Sequence, residues 1–204
     1  MGQTTHGVRA VLSHPFIYSS FQSLMGAHKA RLGFVKKYVK PFDGMKVLDV
    51  GCGPADILAY LPDVDYWGFD VSQAYIDQAR SKFGQRAKFH CKQLQSEDLD
   101  ALPHFDVVLA LGLLHHLDDA AAVDVVRLAS QALKPGGRLL TIDPCLDPSQ
   151  NLIARFLVRN DRGQNVRDKA SYEAIARTFF PSPRVDVGHQ AWIPYTHCFM
   201  ECSK

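Results

Sequence analysis

No apolar run in this chain of 204 residues approaches the roughly 20 needed to cross a bilayer, so no membrane-spanning segment is expected. The first eleven residues, Met1 to Val11, hold no apolar core of a secretory leader, and His6 stands where a myristoylation motif wants Ser or Thr. Cysteine is sparse. The five present (Cys52, Cys91, Cys145, Cys198 and Cys202) are odd in number and include no CxxC pair, which argues against a disulfide framework and a structural zinc. Cys52, Cys91 and Cys198 sit in apolar or strand-like contexts and read as buried reduced thiols, which suits a cytoplasmic protein. There is no basic run, and a formal net charge of +2 is too near neutral to call for nucleic acid or an anionic membrane surface as partner. No internal repeat or low-complexity stretch appears, and a composition 47% hydrophobic and 22% charged argues against wholesale disorder.

What is present is an alternation of short apolar runs with helical segments, the signature of parallel β/α units in one α/β domain. The candidate strands are 46–50, 66–71, 87–91, 105–109, 137–143, 184–188 and 196–202, and the candidate helices between them are 55–61, 73–83, 120–133 and 171–180. Ser72 is placed to cap the second of these helices, and Lys134-Pro135-Gly136-Gly137 to stop the third. Two segments fall outside the alternation. Residues 14–39 carry Phe16, Ile17, Phe21, Leu24, Met25, Leu32, Val35 and Tyr38 at roughly helical spacing, which predicts an N-terminal helical cap over 1–42 on a core of 43–204. Residues 147–168 form a long excursion: a plausible helix over 152–158, then a polar, charged stretch suited either to a lid or to a merely solvated insertion.

The first candidate strand runs through Asp49 into a bend, Gly51-Cys52-Gly53, and a second acid, Asp70, closes the next strand. Glycines at a strand-to-helix turn let backbone amides approach a ligand, and an acid ending the following strand suits a ribose diol. The site therefore reads as one for an adenosine-containing cofactor. A dinucleotide fingerprint wants a third glycine where Asp56 stands, and a carboxylate at Asp49 repels pyrophosphate while welcoming an ammonium. This pairing of charges favours S-adenosylmethionine over NAD.

The segments VLDVGCG, FDVS, FDVVLALGLLHHLDD and LKPGGRLLTIDP, in that order and spacing, resemble the ordered motifs of class I S-adenosylmethionine-dependent methyltransferases, of the small-molecule kind found in bacteria. The resemblance covers residues 46–143 closely. It implies a Rossmann-like, doubly wound, seven-stranded sheet that is mostly parallel, with the last strand antiparallel and inserted near the edge. It places Asp49, Gly51, Cys52 and Gly53 at the methionine side, Asp70 on the ribose hydroxyls and Val71 against adenine. Gln93 and Leu94 fall where the family often turns an acid to the adenine amino group, with Glu97 or Asp98 as alternatives. Leu111 and Gly112 would line the middle of the cofactor, and Tyr18, from a leader helix, would touch its carboxylate end. S-adenosylhomocysteine would be the product.

Methyl transfer needs a base only when the acceptor arrives protonated. His115 and His116 are the candidate bases, with His116 slightly preferred; each is equally readable as a packing or capping histidine. Adjacent residues on an α-helix point about 100° apart, so the two rings are not expected to face one small substrate or to share a metal. Asp143, at the end of the fifth strand, either orients an acceptor or caps the following turn. Tyr195, His197 and His189 reach toward the same mouth and read first as packing or surface residues. Arg155, Arg159, Arg162 and Arg167 suit an acceptor with an anionic group, or else pair locally with Asp161 and Asp168. The resulting expectation is methyl transfer to a small-molecule acceptor, more at oxygen than elsewhere. An NAD-dependent oxidoreductase and a non-catalytic S-adenosylmethionine-binding module are the alternatives.

Overall fold

The computed structural model describes residues 27–161, 163–189 and 195–204. Tyr18, Arg162 and most of the expected N-terminal cap lie outside the described residues, as does the His189 side chain. The helices are α1 (Ala27–Phe34), α2 (Gln73–Phe83), α3 (Ser96–Leu99), α4 (Asp119–Ala132), α5 (Leu152–Arg159) and α6 (Lys169–Arg177). A short π-helical turn, Val35–Val39, prolongs α1. The strands are β1 (Lys46–Val50), β2 (Asp65–Asp70), β3 (Ala87–Cys91), β4 (Phe105–Leu111), β5 (Leu133–Leu146), β6 (Arg167–Asp168), β7 (Arg184–His189) and β8 (Thr196–Ser203).

The seven long strands lie in the order β3-β2-β1-β4-β5-β8-β7, and the two-residue β6 pairs with the end of β5. β1 to β5 run parallel, while β8 pairs antiparallel with both β5 and β7. Strand order reverses between β1 and β4, and the carboxyl ends of strands beside such a switch point form the natural ligand crevice of an open α/β sheet. Strand alternation supplies two cores, one on each face. Val108 and Ala110 of β4 face α4 and α6, joining Ala122, Val126, Tyr172 and Ile175. Val107 and Leu109 of the same strand face the other way, onto Phe34, Val35, Ile57 and Ile76.

Local chemistry fixes several boundaries. The Ser72 side chain accepts from Tyr75 N–H, so α2 begins where its cap predicts. Ala55 takes a left-handed conformation (φ 55°), so 55–61 does not form the expected α-helix: a 3-10 turn, Asp56–Tyr60, follows instead. β5 begins at Leu133, ahead of the Lys134-Pro135-Gly136-Gly137 stop, because Leu133 already pairs with Phe105 before the register shifts. A Cβ on Gly137 would lie 2.9 Å from Phe105 O, so the shifted strands meet there only through glycine.

Candidate active site

At the switch point β1 ends in a bend built on left-handed backbone: Gly51 (φ 70°), Gly53 (φ 53°) and Ala55 (φ 55°). Gly51 N–H and Cys52 N–H both donate to Phe69 O, which ties the bend to the end of β2. Asp49, on the last turn of β1 before it, is buried. Its Oδ2 accepts the Tyr66 hydroxyl at 2.5 Å, and its Oδ1 is buried with no partner. Burial, opposed by the Tyr66 hydrogen bond and reinforced by nearby Asp70, pushes the Asp49 carboxyl up to about 7. An orphaned carboxylate oxygen beside bare backbone fits a cationic ligand head and not a pyrophosphate, so the residues present suit S-adenosylmethionine.

Asp70 is oriented from both sides: Gly53 N–H donates to Oδ2 at 2.8 Å and Ser72 N–H to Oδ1 at 2.8 Å. Each oxygen keeps a lone pair for a diol. Val71, beside it, leaves an apolar surface 73% exposed. After β3 the side chain of Gln93 is exposed and Leu94 is buried. Asp98 is engaged locally: it accepts from Gln95 N–H at 3.0 Å in the capping box that opens α3, and from Lys92. Asp56, at the missing third glycine, holds Lys82 at 2.7 Å and Arg31 at 3.3 Å.

Beyond β4 the chain passes Gly112 (φ 70°) into a 3-10 turn, Leu114–His116. Leu113 folds over Gly51: a Cβ there would meet Leu113 Cδ1 at 2.8 Å. The cofactor bend and the histidine turn are thus in contact. His115 is buried, and its Nδ1 lies 2.9 Å from Asp143 Oδ1, which also accepts the His115 backbone N–H at 3.1 Å. Its Nε2 lies 3.2 Å from Asp161 Oδ1. Burial alone would push the imidazole down, but hydrogen bonds to Asp143 and Asp161 outweigh it and carry His115 up to about 9. Burial pushes the Asp143 carboxyl up as well, opposed by its hydrogen bonds from His115. Asp161 itself is driven well below the usual carboxylate range: hydrogen bonds from His115, Gly163 N–H and Tyr195 outweigh its burial.

Several sequence expectations are corrected here. The two histidine rings lie 4.0 Å apart at their centroids, tilted by 39°, so the splay expected of neighbouring side chains does not keep the rings apart. Among the described residues no cluster of three or more metal-ligating side chains could hold a metal ion. Arg167 does not point to an acceptor. It is buried and donates to the carbonyls of Leu114 at 2.8 Å, Leu117 at 2.8 Å and Asn165 at 3.1 Å, and to Asp119 Oδ1 at 2.8 Å. Arg155 and Arg159 are exposed on α5. The 147–168 excursion ends in contact with the histidine turn, where Asn165 N–H donates to His115 O at 3.0 Å.

In the sequence Asp161 reads only as a partner for nearby arginines and Tyr195 first as packing, yet Tyr195 O–H donates to Asp161 Oδ2 while Asp161 Oδ1 faces His115. No local spacing could have signalled this, since Asp161 and Tyr195 are 34 positions apart. His197 is held neutral, pushed down to about 4 by burial.

Residues 48–139 match the family described as a methyltransferase domain. The chain is 30% identical over 124 residues to a ubiquinone biosynthesis O-methyltransferase of Idiomarina loihiensis, covering 58% of this chain and 50% of that one. It is 31% identical over 157 residues to an O-methyltransferase of Penicillium expansum, covering 67% and 55%. The chain thus spans about half the length of these two relatives. In fold it is similar to the S-adenosylmethionine-dependent methyltransferase SibL in its apo form, with a TM-score of 0.70 at 20% identity over 96% of this chain and 61% of that one. Ordered motifs, a reversed strand order with one antiparallel intruder and a matching methyltransferase domain over residues 48–139 converge, and they make the chain similar to the class I S-adenosylmethionine-dependent methyltransferases.

Proposed function

We propose that this protein transfers a methyl group from S-adenosylmethionine to an oxygen of a small-molecule acceptor, leaving S-adenosylhomocysteine. The observation that carries the reading is a pair of chemically distinct groups at the carboxyl ends of the strands beside the switch point: the unpartnered Asp49 Oδ1 near the end of β1, and the His115–Asp143 pair beyond β4 and β5. The cofactor supplies an electrophilic methyl on a sulfonium, attacked in line by an acceptor lone pair as the carbon–sulfur bond breaks and its electron pair stays on sulfur. The chain's work is alignment and charge management. Asp49, steadied by Tyr66, receives the cationic head; Gly51, Cys52 and Gly53 give close backbone approach; Asp70 accepts from the ribose hydroxyls. Val71, Leu94 and Leu111 frame the apolar parts, with Gln93 beside the adenine edge.

His115, oriented by Asp143, either takes the proton of an acceptor hydroxyl or, already protonated, neutralises an ionised oxygen; His116 is the second candidate. The relatives' names as O-methyltransferases support oxygen as the acceptor atom. Arg155 and Arg159, exposed on the helix that precedes Asp161, support an acceptor that carries negative charge. Five free cysteines suit a reducing, cytoplasmic setting.

Transfer from methyl-labelled S-adenosylmethionine into a panel of phenols, enols and carboxylates tests the reading. Labelled ether or ester product is expected, and His115→Ala with His116→Ala together should lower kcat on the order of 10²-fold or more. Unchanged turnover in that double variant removes the histidines from the chemistry. Calorimetric binding of NAD in place of S-adenosylmethionine favours the oxidoreductase alternative. Tight S-adenosylmethionine binding with no transfer to any acceptor favours a sensing module.

A further inference from the structure

Both ring nitrogens of His115 face carboxylates, Nδ1 at 2.9 Å from Asp143 and Nε2 at 3.2 Å from Asp161. A neutral imidazole carries one N–H and one bare nitrogen, and a bare nitrogen has nothing to share with a carboxylate. With both acids ionised, the two contacts are satisfied together only by the doubly protonated ring. In this arrangement His115 is a cation with no lone pair for an acceptor proton.

The Asp161 carboxylate sits in a socket of donors. His115 Nε2–H and Gly163 N–H reach Oδ1, the latter at 2.9 Å, and Tyr195 O–H reaches Oδ2. His115 and Tyr195 come from different parts of the fold, the turn after β4 and the residue just before β8. The socket and its occupant differ in freedom: the His115 side chain is 7% exposed and that of Asp161 20%. Asp161 borders solvent and can turn outward, whereas His115 is fixed by Asp143 and by Asn165 on its carbonyl.

We propose that the space between His115 Nε2 and the Tyr195 hydroxyl is the subsite for an ionised acceptor oxygen, and that the Asp161 carboxylate is its resident placeholder, displaced when the acceptor binds. The inference rests on the methyl-transfer reading above and narrows it to acidic hydroxyls, phenols and enols, over aliphatic alcohols. One anion replaces another, so the charge of the site is unchanged and no base has to be found. The acceptor oxygen then uses a lone pair to bond the methyl carbon, the carbon–sulfur electron pair stays on sulfur, and the neutral ether leaves as Asp161 returns. The other groups facing the ring are Asp143 behind it, His116 tilted against it with the ring centroids 4.0 Å apart, and His197, kept neutral by burial near Tyr195. None of them offers a competing anion at Nε2.

Binding of para-nitrophenol to the full chain saturated with S-adenosylhomocysteine tests this, read by the yellow phenolate absorbance at a pH where the free phenol is mostly neutral. The bound probe should be phenolate, and Asp161→Ala and Asp161→Asn should bind it at least ~10-fold tighter, because the competing carboxylate is gone. His115→Asn and Tyr195→Phe should lose the absorbance shift, and cyclohexanol should not compete. In an NMR titration Asp161→Asn should move deprotonation of the His115 ring to lower pH. Unchanged or weaker binding in both Asp161 variants, a probe bound in its neutral form, or no binding at all overturns the subsite. Calorimetry with S-adenosylhomocysteine on every variant separates the two claims: if the wild-type chain does not bind it, the methyltransferase reading itself fails and the subsite falls with it.

Discussion

Asp49 carries a cost that only a ligand can repay. Its carboxyl is pushed from the ordinary 3.8 up to about 7, chiefly by burial, so the fold holds the proton that the unfolded chain has already lost. That contribution to stability is present below the ordinary value and is lost as pH rises through about 7. Asp49→Asn removes the strain and should stabilise the ligand-free protein at pH 8 by about 1–4 kcal/mol, read as a raised Tm. The same change should weaken S-adenosylmethionine binding on the order of 10–100-fold by calorimetry, because a charged hydrogen bond is lost. A cationic head favours the carboxylate, so binding to the wild type expels a proton: affinity should rise with pH up to about 7 and then flatten, and the variant should show neither feature. Gly163 is a second sensitive position. A Cβ there would lie 2.1 Å from His115 Cδ2 and 2.5 Å from His115 O, an overlap that must move the chain. Gly163→Ala should cost about 1–3 kcal/mol and shift the His115 ring signals in NMR.

Elements are held around the site by Arg167 more than by the sheet ladder there, since β6 has two residues. Its guanidinium joins the carbonyls of Leu114, Leu117 and Asn165, so the histidine turn, the start of α4 and the end of the excursion share one clamp. The ion pair with Asp119 contributes little, because that carboxylate is 88% exposed. Arg167→Ala should therefore cost about 3 kcal/mol or more, through buried carbonyls left without donors, while Asp119→Ala should cost less than about 1 kcal/mol. Denaturant unfolding of the two variants distinguishes these sources. Helix α2 was legible to the residue because its cap, Ser72, and its stop, Gly84, act within one turn. The 55–61 segment was not, because the left-handed Ala55 belongs to the ligand bend and not to a helix start.

For the whole molecule, the His115–Asp161 contact sets a pH window. His115 is raised from 6.5 to about 9, so its contribution is full below 6.5 and is lost as pH rises through about 9. Asp161 is depressed, so its contribution is present above the ordinary 3.8 and is lost as pH falls below it. Wild-type Tm should therefore decline between about pH 7 and 9, and the decline should flatten in Asp161→Asn, where one of the two acids holding the proton is gone. Scanning calorimetry across that range checks both curves. S-adenosylmethionine at 100 times its Kd should add about 2.7 kcal/mol, and NAD nothing.

The bend after β1 was readable from the chain alone because its parts are local: β1, its bend and the end of β2 fall within 46–70, and their left-handed glycines and two acids are properties of a short segment. Apolar runs likewise announced seven strands. Only the tertiary structure decided what surrounds His115. β8 runs back between β5 and β7, bringing Tyr195 to the mouth, while Asp161 arrives from an excursion that sequence could read equally as lid or solvated insertion. His115 stands 28 positions from Asp143, and no periodicity reports which charged side chains will face the same ring once the chain has folded. Charge and backbone preference act over a few residues and are written in order; the meeting of distant acids on one imidazole is fixed by packing, which no local pattern carries.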